Sequence, residues 1–452
     1  MGATPLASIQ QPRLRDFTYY LLLILALFGM TNSIVRDILG AVPGLGMFGG
    51  IWNEGLMFLL YIAFFLKSRA EGRIDWKATR LHWLILATFV TAVLSMFANW
   101  IFNPQSLDIS KGYGNYFWVD VHASLPAAIY GIRALLEYTL YFFVLNALLD
   151  DEVTIKDMIN VMIVAATAVA LYGIYQKLSG METPKSWTYS EAESGLTIRV
   201  FSTIGNPNSL GGYMVLVAPI AIALTLWAKD WTRRLLYGSA SLLMLACLLL
   251  TFSRGAWIGF IAGMALYTLI TRNKWLALIG IGGLVAAPFA APDVVDRLLL
   301  AFTPEYLEKA SNKGRVEFWA RAFNIWKESP VFGAGIGTVG DTVALKFNMP
   351  GATWIDNQYM RVLAEMGILG FVAYVAMLLT PVFAGIKNVF AAKANSSYLH
   401  ALNAGITAAI FGMIVENVTA GIFENEVVIT TFWPLIAILY VSIRLINGKA
   451  NA

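Results

Sequence analysis

The sequence predicts an all-α, polytopic membrane protein folded as a single domain of 452 residues. Three observations carry this. Apolar runs of about 20 residues, the length that spans a bilayer, recur along the whole chain. The composition is 58% hydrophobic and 13% charged, with mean hydropathy +0.65; a soluble domain carries roughly twice that charged fraction. Every second short break between runs contains Lys or Arg, the pattern of cytoplasmic loops.

Taken in order, residues 1–16 are a polar lead ending in Arg13 and Arg15. They show no cleavable signal pattern, so the first run reads as a retained helix over 17–35. Residues 36–50 are Gly-rich and read as a hairpin or re-entrant turn. A second helix over 51–66 leads to Lys67, Arg69, Arg73, Lys77 and Arg80, the strongest positive-inside signal. Helices follow over 82–101, 125–149 and 157–176, with polar outer segments at 102–124 and 177–205. Further helices cover 208–227, 235–252, 256–271 and 275–291. A long polar loop, 292–365, precedes the last three helices at 366–386, 399–418 and 428–446. The count is twelve spans with both termini inside, and both motif-bearing loops fall on the outer face. Almost no charge is expected at mid-span.

Composition also excludes chemistries. The net charge of +4 is small and its basic residues flank the membrane runs, so nucleic acid is not a partner. Cys247 is the single cysteine and lies in an apolar run. With three scattered histidines, this leaves no zinc-like ligand spacing. No cofactor is implied.

The outer loops carry arginines against the usual bias. Each can snorkel to lipid headgroups, but three have a more specific setting. Arg199 precedes the Gly205-Asn206-Pro207-Asn208 turn. Arg254 sits in a tight turn beside Gly255. Arg315 follows Gly314 and opens the helical pattern RVEFWARAFNIW, which also contains Arg321. Converging on one anion, they suit phosphate, because the planar guanidinium binds it bidentately and keeps its charge. Asp356, in Trp354-Ile355-Asp356-Asn357-Gln358-Tyr359, reads two ways: as the N-cap of the next helix, or as a general base for a sugar hydroxyl. Glu365 reads as a second acid or a tether. The turn 330–337 lacks the Lys-Ser/Thr of a phosphate loop and reads as a glycine hinge. Trp319, Trp326 and Trp354 are interfacial residues or sugar platforms, and His122 is a surface histidine or a substitute base.

Arg199 with GNPNSLGGY (205–213), TFSRGAW (251–257), GRVEFWARAFNIWKESPVFGAGIG (314–337) and DNQYMRVLAEMGILGF (356–371) together resemble the O-antigen ligase and O-antigen polymerase family of bacterial envelope proteins. The similarity covers a core over 195–385. It implies a GT-C-like membrane fold and a metal-independent, inverting transfer of glycan from polyprenyl (undecaprenyl) diphosphate. The acceptor is a sugar or a lipid, and the active-site loop 292–365 lies on the outer face of the bacterial inner membrane. By the resemblance, Arg199 and Arg254 grip the diphosphate, Arg315 supports them, and Asn206, Asn208, Asn357, Tyr359, Arg321 and Glu365 shape the substrate site. A chain-length regulator or flippase is an implied partner. Family ligases that load lipid A core carry His in the H-N-x-Y position, where this chain has Asp356. That departure favours the polymerase branch. A ligase for another acceptor is the alternative, and a transporter of an anion or lipid-linked sugar is the rival from another class.

Overall fold

The structure, a computed structural model, describes residues 17–72, 74–102, 121–184, 198–276, 278, 280, 314–349, 351–391 and 397–451. The expected lead at 1–16, most of the segment 102–124, the span at 275–291 beyond its first residues, and residues 292–313 of the long loop lie outside them. The described chain is helical. Its one β-type contact is an isolated parallel bridge between Gly340 and Thr353.

The helices, numbered without the single turn at Gly46–Gly49, are α1 (Phe17–Ala26), α2 (Phe28–Ala41), α3 (Trp52–Glu71), α4 (Arg80–Phe102), α5 (Val121–Leu136) and α6 (Thr139–Leu148). Next come α7 (Glu152–Leu178), α8 (Pro207–Trp227), α9 (Trp231–Leu250) and α10 (Arg254–Thr271). After them stand α11 (Arg315–Glu328), α12 (Asp341–Lys346), α13 (Gln358–Ala391), α14 (Tyr398–Glu416) and α15 (Glu426–Asn451). Nine of these elements are long and apolar enough to cross a membrane, with α5 and α6 forming one crossing. The pair α1–α2 adds a tenth if counted as one span. This is an all-α polytopic membrane protein. The expected count of twelve rests further on α3 and on residues 275–291, outside the described set.

Local chemistry starts and stops the helices where the sequence changes character. Asp151 caps α7 by accepting from the Thr154 amide at 2.8 Å, and Asp230 caps α9 through the Arg233 amide at 3.0 Å. Asn206 caps α8, whose first residue is Pro207, a residue that needs no amide partner there. Gly72 closes α3 in the left-handed conformation at φ 68°.

Three elements depart from expectation. The first apolar run is not one helix: α1 and α2 meet at 90°. Leu27 carries no Gly or Pro signal for that bend. Past the bend α2 packs on α7 and α15, and a Cβ at Gly29 would sit 2.1 Å from the Tyr213 hydroxyl. The run 125–149 breaks between α5 and α6, and Arg133 there binds Glu137 at 2.8 Å and also Glu54 of α3. Mid-span charge is therefore present, paired across helices. Finally, α13 begins at Gln358 and is interrupted at Gly367 (φ 64°, ψ −169°). The turn 330–335 fills that interruption. The amides of Ala334 and Gly335 donate to the Ala364 and Glu365 carbonyls, and the Ile368 amide donates to the Pro330 carbonyl. The glycine-rich stretch is thus a splice into a broken helix.

The core is α8, α14 and α15, whose spans are 83%, 78% and 83% buried, against 28% for α9. Close approach of α10 to α14 uses small residues spaced by four. A Cβ on Gly259 would lie 2.7 Å from the Gly412 carbonyl oxygen, and one on Gly263 would lie 2.5 Å from that of Ala408. Gly259→Val is expected to lower stability by about 1–3 kcal/mol through overpacking. Ile261→Val, on the exposed face of the same helix, is expected to change little. Thermal unfolding in detergent, followed by tryptophan fluorescence, separates the two.

Candidate active site

The N-termini of α8, α10, α13 and α15 and the C-termini of α9 and α14 gather at one end of the bundle, joined by backbone and side-chain bonds. Helix N-termini present unpaired amides and the positive end of the dipole, so their convergence favours an anion. The opposite end is basic. There Lys67 and Lys77 both bind Asp150, and Arg444 donates to the Asn146 and Leu149 carbonyls.

Arg199 is held from both sides. Its amide donates to Thr183 Oγ1 at 2.8 Å, its Nε to the Thr251 carbonyl at 3.0 Å, and its Nη2 to Asn208 Oδ1 at 2.7 Å. Thr251 ends α9 and begins the turn to Arg254, the first residue of α10. In that turn Phe252 adopts φ 49°, a conformation rare for an aromatic residue. The turn is pinned by Ser253 N donating to Thr251 Oγ1 and by Trp257 Nε1 donating to the Leu248 carbonyl. Arg199 and Arg254 are therefore two parts of one rigid unit, with Asn208 orienting the first. Asn206 has a different job: its Oδ1 accepts from the Asn208 and Ser209 amides and starts α8.

A second unit holds Asp356. Arg315, first in α11, donates from Nε to Asp356 Oδ2 at 3.3 Å. Trp319 Nε1 donates to the Ile355 carbonyl at 3.0 Å. The N-cap of α13 is Asn357, whose Oδ1 accepts from the Tyr359 and Met360 amides at 3.0 Å each. The capping alternative for Asp356 is thus taken by its neighbour, and the Asp356 carboxylate is turned to Arg315. Asp356 itself sits at φ 51°, the left-handed region. Trp354 is exposed, Arg321 lies across Gly351, and Trp326 donates to the Pro330 carbonyl. Tyr359 donates its hydroxyl to the Ile414 carbonyl at 2.7 Å and fixes α13 against α14. Glu365 is buried and accepts from the Val339 amide at 3.2 Å, so its contacts match the tether and not a substrate-facing acid.

Segment 416–419, at the end of α14, joins the two units. The Gln358 amide donates to the Asn417 carbonyl at 3.1 Å, and a Cβ on Gly255 would lie 2.4 Å from Thr419 Oγ1. Arg254 and Asp356 thus flank the same short segment.

Sequence reasoning missed a buried ion network beneath Asp356. Asp341 is 1% exposed. Its Oδ1 accepts from the Ile355 amide at 2.7 Å and the Asp356 amide at 3.4 Å. Arg361, also buried, lies 3.8 Å from Asp341 Oδ2, binds Glu424, and donates to Gln358 Oε1 at 2.8 Å. Glu424 also accepts from the Thr342 amide at 3.2 Å. The sequence offered no cue, because these residues come from three separated segments and none sits in a spaced motif.

Burial pushes the Asp341 carboxyl up to about 6, with Glu424 and Asp356 adding to the rise and Arg361 opposing it. The folded protein therefore holds this proton more tightly than the unfolded chain, whose Asp titrates near ~3.9. The stabilisation is full below that value and is lost as pH rises through about 6. Asp341→Asn is expected to flatten this fall, read as unfolding midpoint against pH in detergent.

The comparisons bear on this geometry directly. Residues 239–375 match the profile of a family described as O-antigen ligase. That stretch is therefore similar to the O-antigen ligase family. The match contains the segments around Arg254, Arg315 and Asp356 and leaves Arg199 and 205–213 outside it. The chain is also 25% identical, over 204 residues, to an uncharacterized protein of Haemophilus influenzae, covering 40% of this chain and 51% of that protein. The chain thus matches about half the length of that relative. The family match and the long apolar helices agree with a multi-pass bacterial membrane protein.

Proposed function

We propose that the protein is a glycosyltransferase that polymerises oligosaccharide repeat units carried on polyprenyl diphosphate. It works at the outer face of the bacterial inner membrane, on the periplasmic or extracellular side. The bilayer holds the polyprenyl tail, and the repeat units lie in the aqueous loops. No nucleotide-sugar supply exists outside the cell, so a donor used there arrives lipid-linked.

In this reading the acceptor hydroxyl oxygen attacks the anomeric carbon while Asp356 takes its proton. The bond from that carbon to the diphosphate oxygen breaks, and its electron pair leaves on the diphosphate. Arg199 and Arg254 stabilise that charge in a preorganised setting without a metal ion. Displacement from the opposite face inverts the anomeric centre. Arg315 supports the carboxylate side of the site, and Asn208 orients Arg199.

The observation that carries the reading is the exchange at the head of α13: Asn357 caps the helix and leaves the Asp356 carboxylate beside Arg315. The family description favours a second reading, a ligase that moves a finished glycan from polyprenyl diphosphate to a lipid or protein acceptor. Aspartate in the position where lipid A core ligases carry histidine weighs toward the polymerase.

The test uses purified protein in nanodiscs, with EDTA and a synthetic polyprenyl-diphosphate repeat unit. A ladder of lengthened polyprenyl-linked products supports the polymerase. Transfer of a preformed chain to a lipid acceptor, with no ladder, supports the ligase. No transfer in either format, or transfer abolished by EDTA, overturns the proposed chemistry.

A further inference from the structure

Asp356 lies in a backbone region that non-glycine residues rarely enter, and Asp341 does the same at φ 59°. Such conformations are strained and persist where surrounding contacts over-determine them. Those contacts are present here. The Asp341 amide donates to the Thr353 carbonyl at 3.0 Å, next to the Gly340–Thr353 bridge, so the two strands of chain are joined before Asp356. The Asp341 carboxylate then receives the next amides in line, those of Ile355 and Asp356. Ile355 is buried against Ala322, Val339 and Ala364, which anchors the same stretch from its other side.

Asp341 is itself held by charge. Arg361 of α13 faces it, and Glu424 binds Arg361 from the turn before α15. Glu365 of α13 and Asp356 complete the ionisable groups around it. The support therefore runs from α13 and the turn before α15, through Arg361 and Asp341, to the backbone amide of Asp356.

We infer that Asp341 is a positioning residue for the transfer reaction: its buried carboxylate fixes the left-handed turn that aims the Asp356 side chain at the acceptor. This rests on the reading of Asp356 as the base. Without the clamp, the turn relaxes toward the extended region and the carboxylate swings away from Arg315. A displacement of about 1 Å at a reacting group can cost 10²-fold in rate.

Three full-length variants in nanodiscs test this with the synthetic repeat-unit donor. Asp341→Ala removes the acceptor. Asp341→Asn keeps an oxygen at the Oδ1 position, and Asp341→Glu keeps the charge but displaces it by one methylene. Expected results are a kcat drop of about 10–10²-fold for Asp341→Ala and Asp341→Glu, with KM for the donor unchanged. Asp341→Asn is expected to recover kcat to within about fivefold of the native protein, on the same geometric ground. If Asp341→Ala fails to fold, the Asn and Glu variants carry the comparison alone. Native kcat in Asp341→Glu overturns the inference, as does a loss shared equally by kcat and donor binding that Asn does not rescue. Asp356→Asn, assayed in parallel, separates the two levels. If it is inactive while the Asp341 variants are normal, only the positioning role falls; if it is fully active, the base role falls and the positioning role with it.

Discussion

Asp356→Asn is expected to lower kcat by about 10²–10⁴-fold, the usual contribution of a positioned general base. The substitution is nearly isosteric and removes the charge that Arg315 faces at 3.3 Å. It leaves the α13 cap intact, because Asn357 supplies that oxygen. The unfolding temperature is therefore expected to stay near the native value, and donor KM is expected to hold, since the diphosphate is assigned to Arg199 and Arg254. Asp356→His is expected to retain part of the activity: an imidazole also accepts a proton, and family ligases place histidine in this position. Steady-state kinetics on the lipid-linked donor check the kinetic expectations, and thermal unfolding in detergent checks the stability. Full activity in Asp356→Asn would leave this carboxylate as an ion-pair partner of Arg315 and send the search for the base elsewhere, first to His122.

Much of this arrangement was legible in the sequence, for identifiable reasons. Long apolar runs report spans because the bilayer leaves an unpaired backbone no alternative to helix. The turn at Asn206 is local and marks the start of α8, whereas α7 and α9 begin at Glu152 and Trp231, ahead of the expected 157 and 235, behind the caps Asp151 and Asp230 that the sequence reading did not single out. The bend at Leu27 and the splice at Gly367 were not legible. No local residue marks the first, and the second is filled by a distant partner, the turn 330–335. The same division holds in the site. Arg199, Arg254, Arg315 and Asp356 could be singled out because each sits in a tight, distinctive stretch. The choice between base and cap at Asp356 required the neighbouring side chain, since Asp and Asn are both good caps and stand side by side. Asp341, Arg361 and Glu424 were invisible because their relation exists only in three dimensions. Glu365 stood open between acid and tether, because an acid near a membrane surface gives no hint that the Val339 amide already holds it.

Arg254→Ala is expected to lower kcat by about 10²–10³-fold, the range for losing one preorganised donor to a developing oxyanion. Its position explains why the loss should fall on the transition state. Arg254 opens α10, so in the proposed mechanism its guanidinium and the helix N-terminus would act on the same charge. It is separated from the Arg199 anchor at Thr251 by only Phe252 and Ser253, a turn too short to let it move independently. Negative charge on the diphosphate grows as the glycosidic bond breaks, so a rigid cation there gains most at that moment. Arg254→Lys is expected to restore only part of the activity, because an ammonium keeps the charge but loses the planar fork. Arg199→Ala is expected to follow the same pattern. The double variant should lose less than the sum of the two, since both act on one anion through one turn. Asn208→Ala, which only releases Arg199 Nη2, is expected to show a smaller loss than either. Single-turnover rates with the native donor give the ordering. Strict additivity of the two arginine variants would argue that they serve separate anions, and a raised KM with unchanged kcat would move Arg254 from leaving-group stabilisation to ground-state binding of the donor.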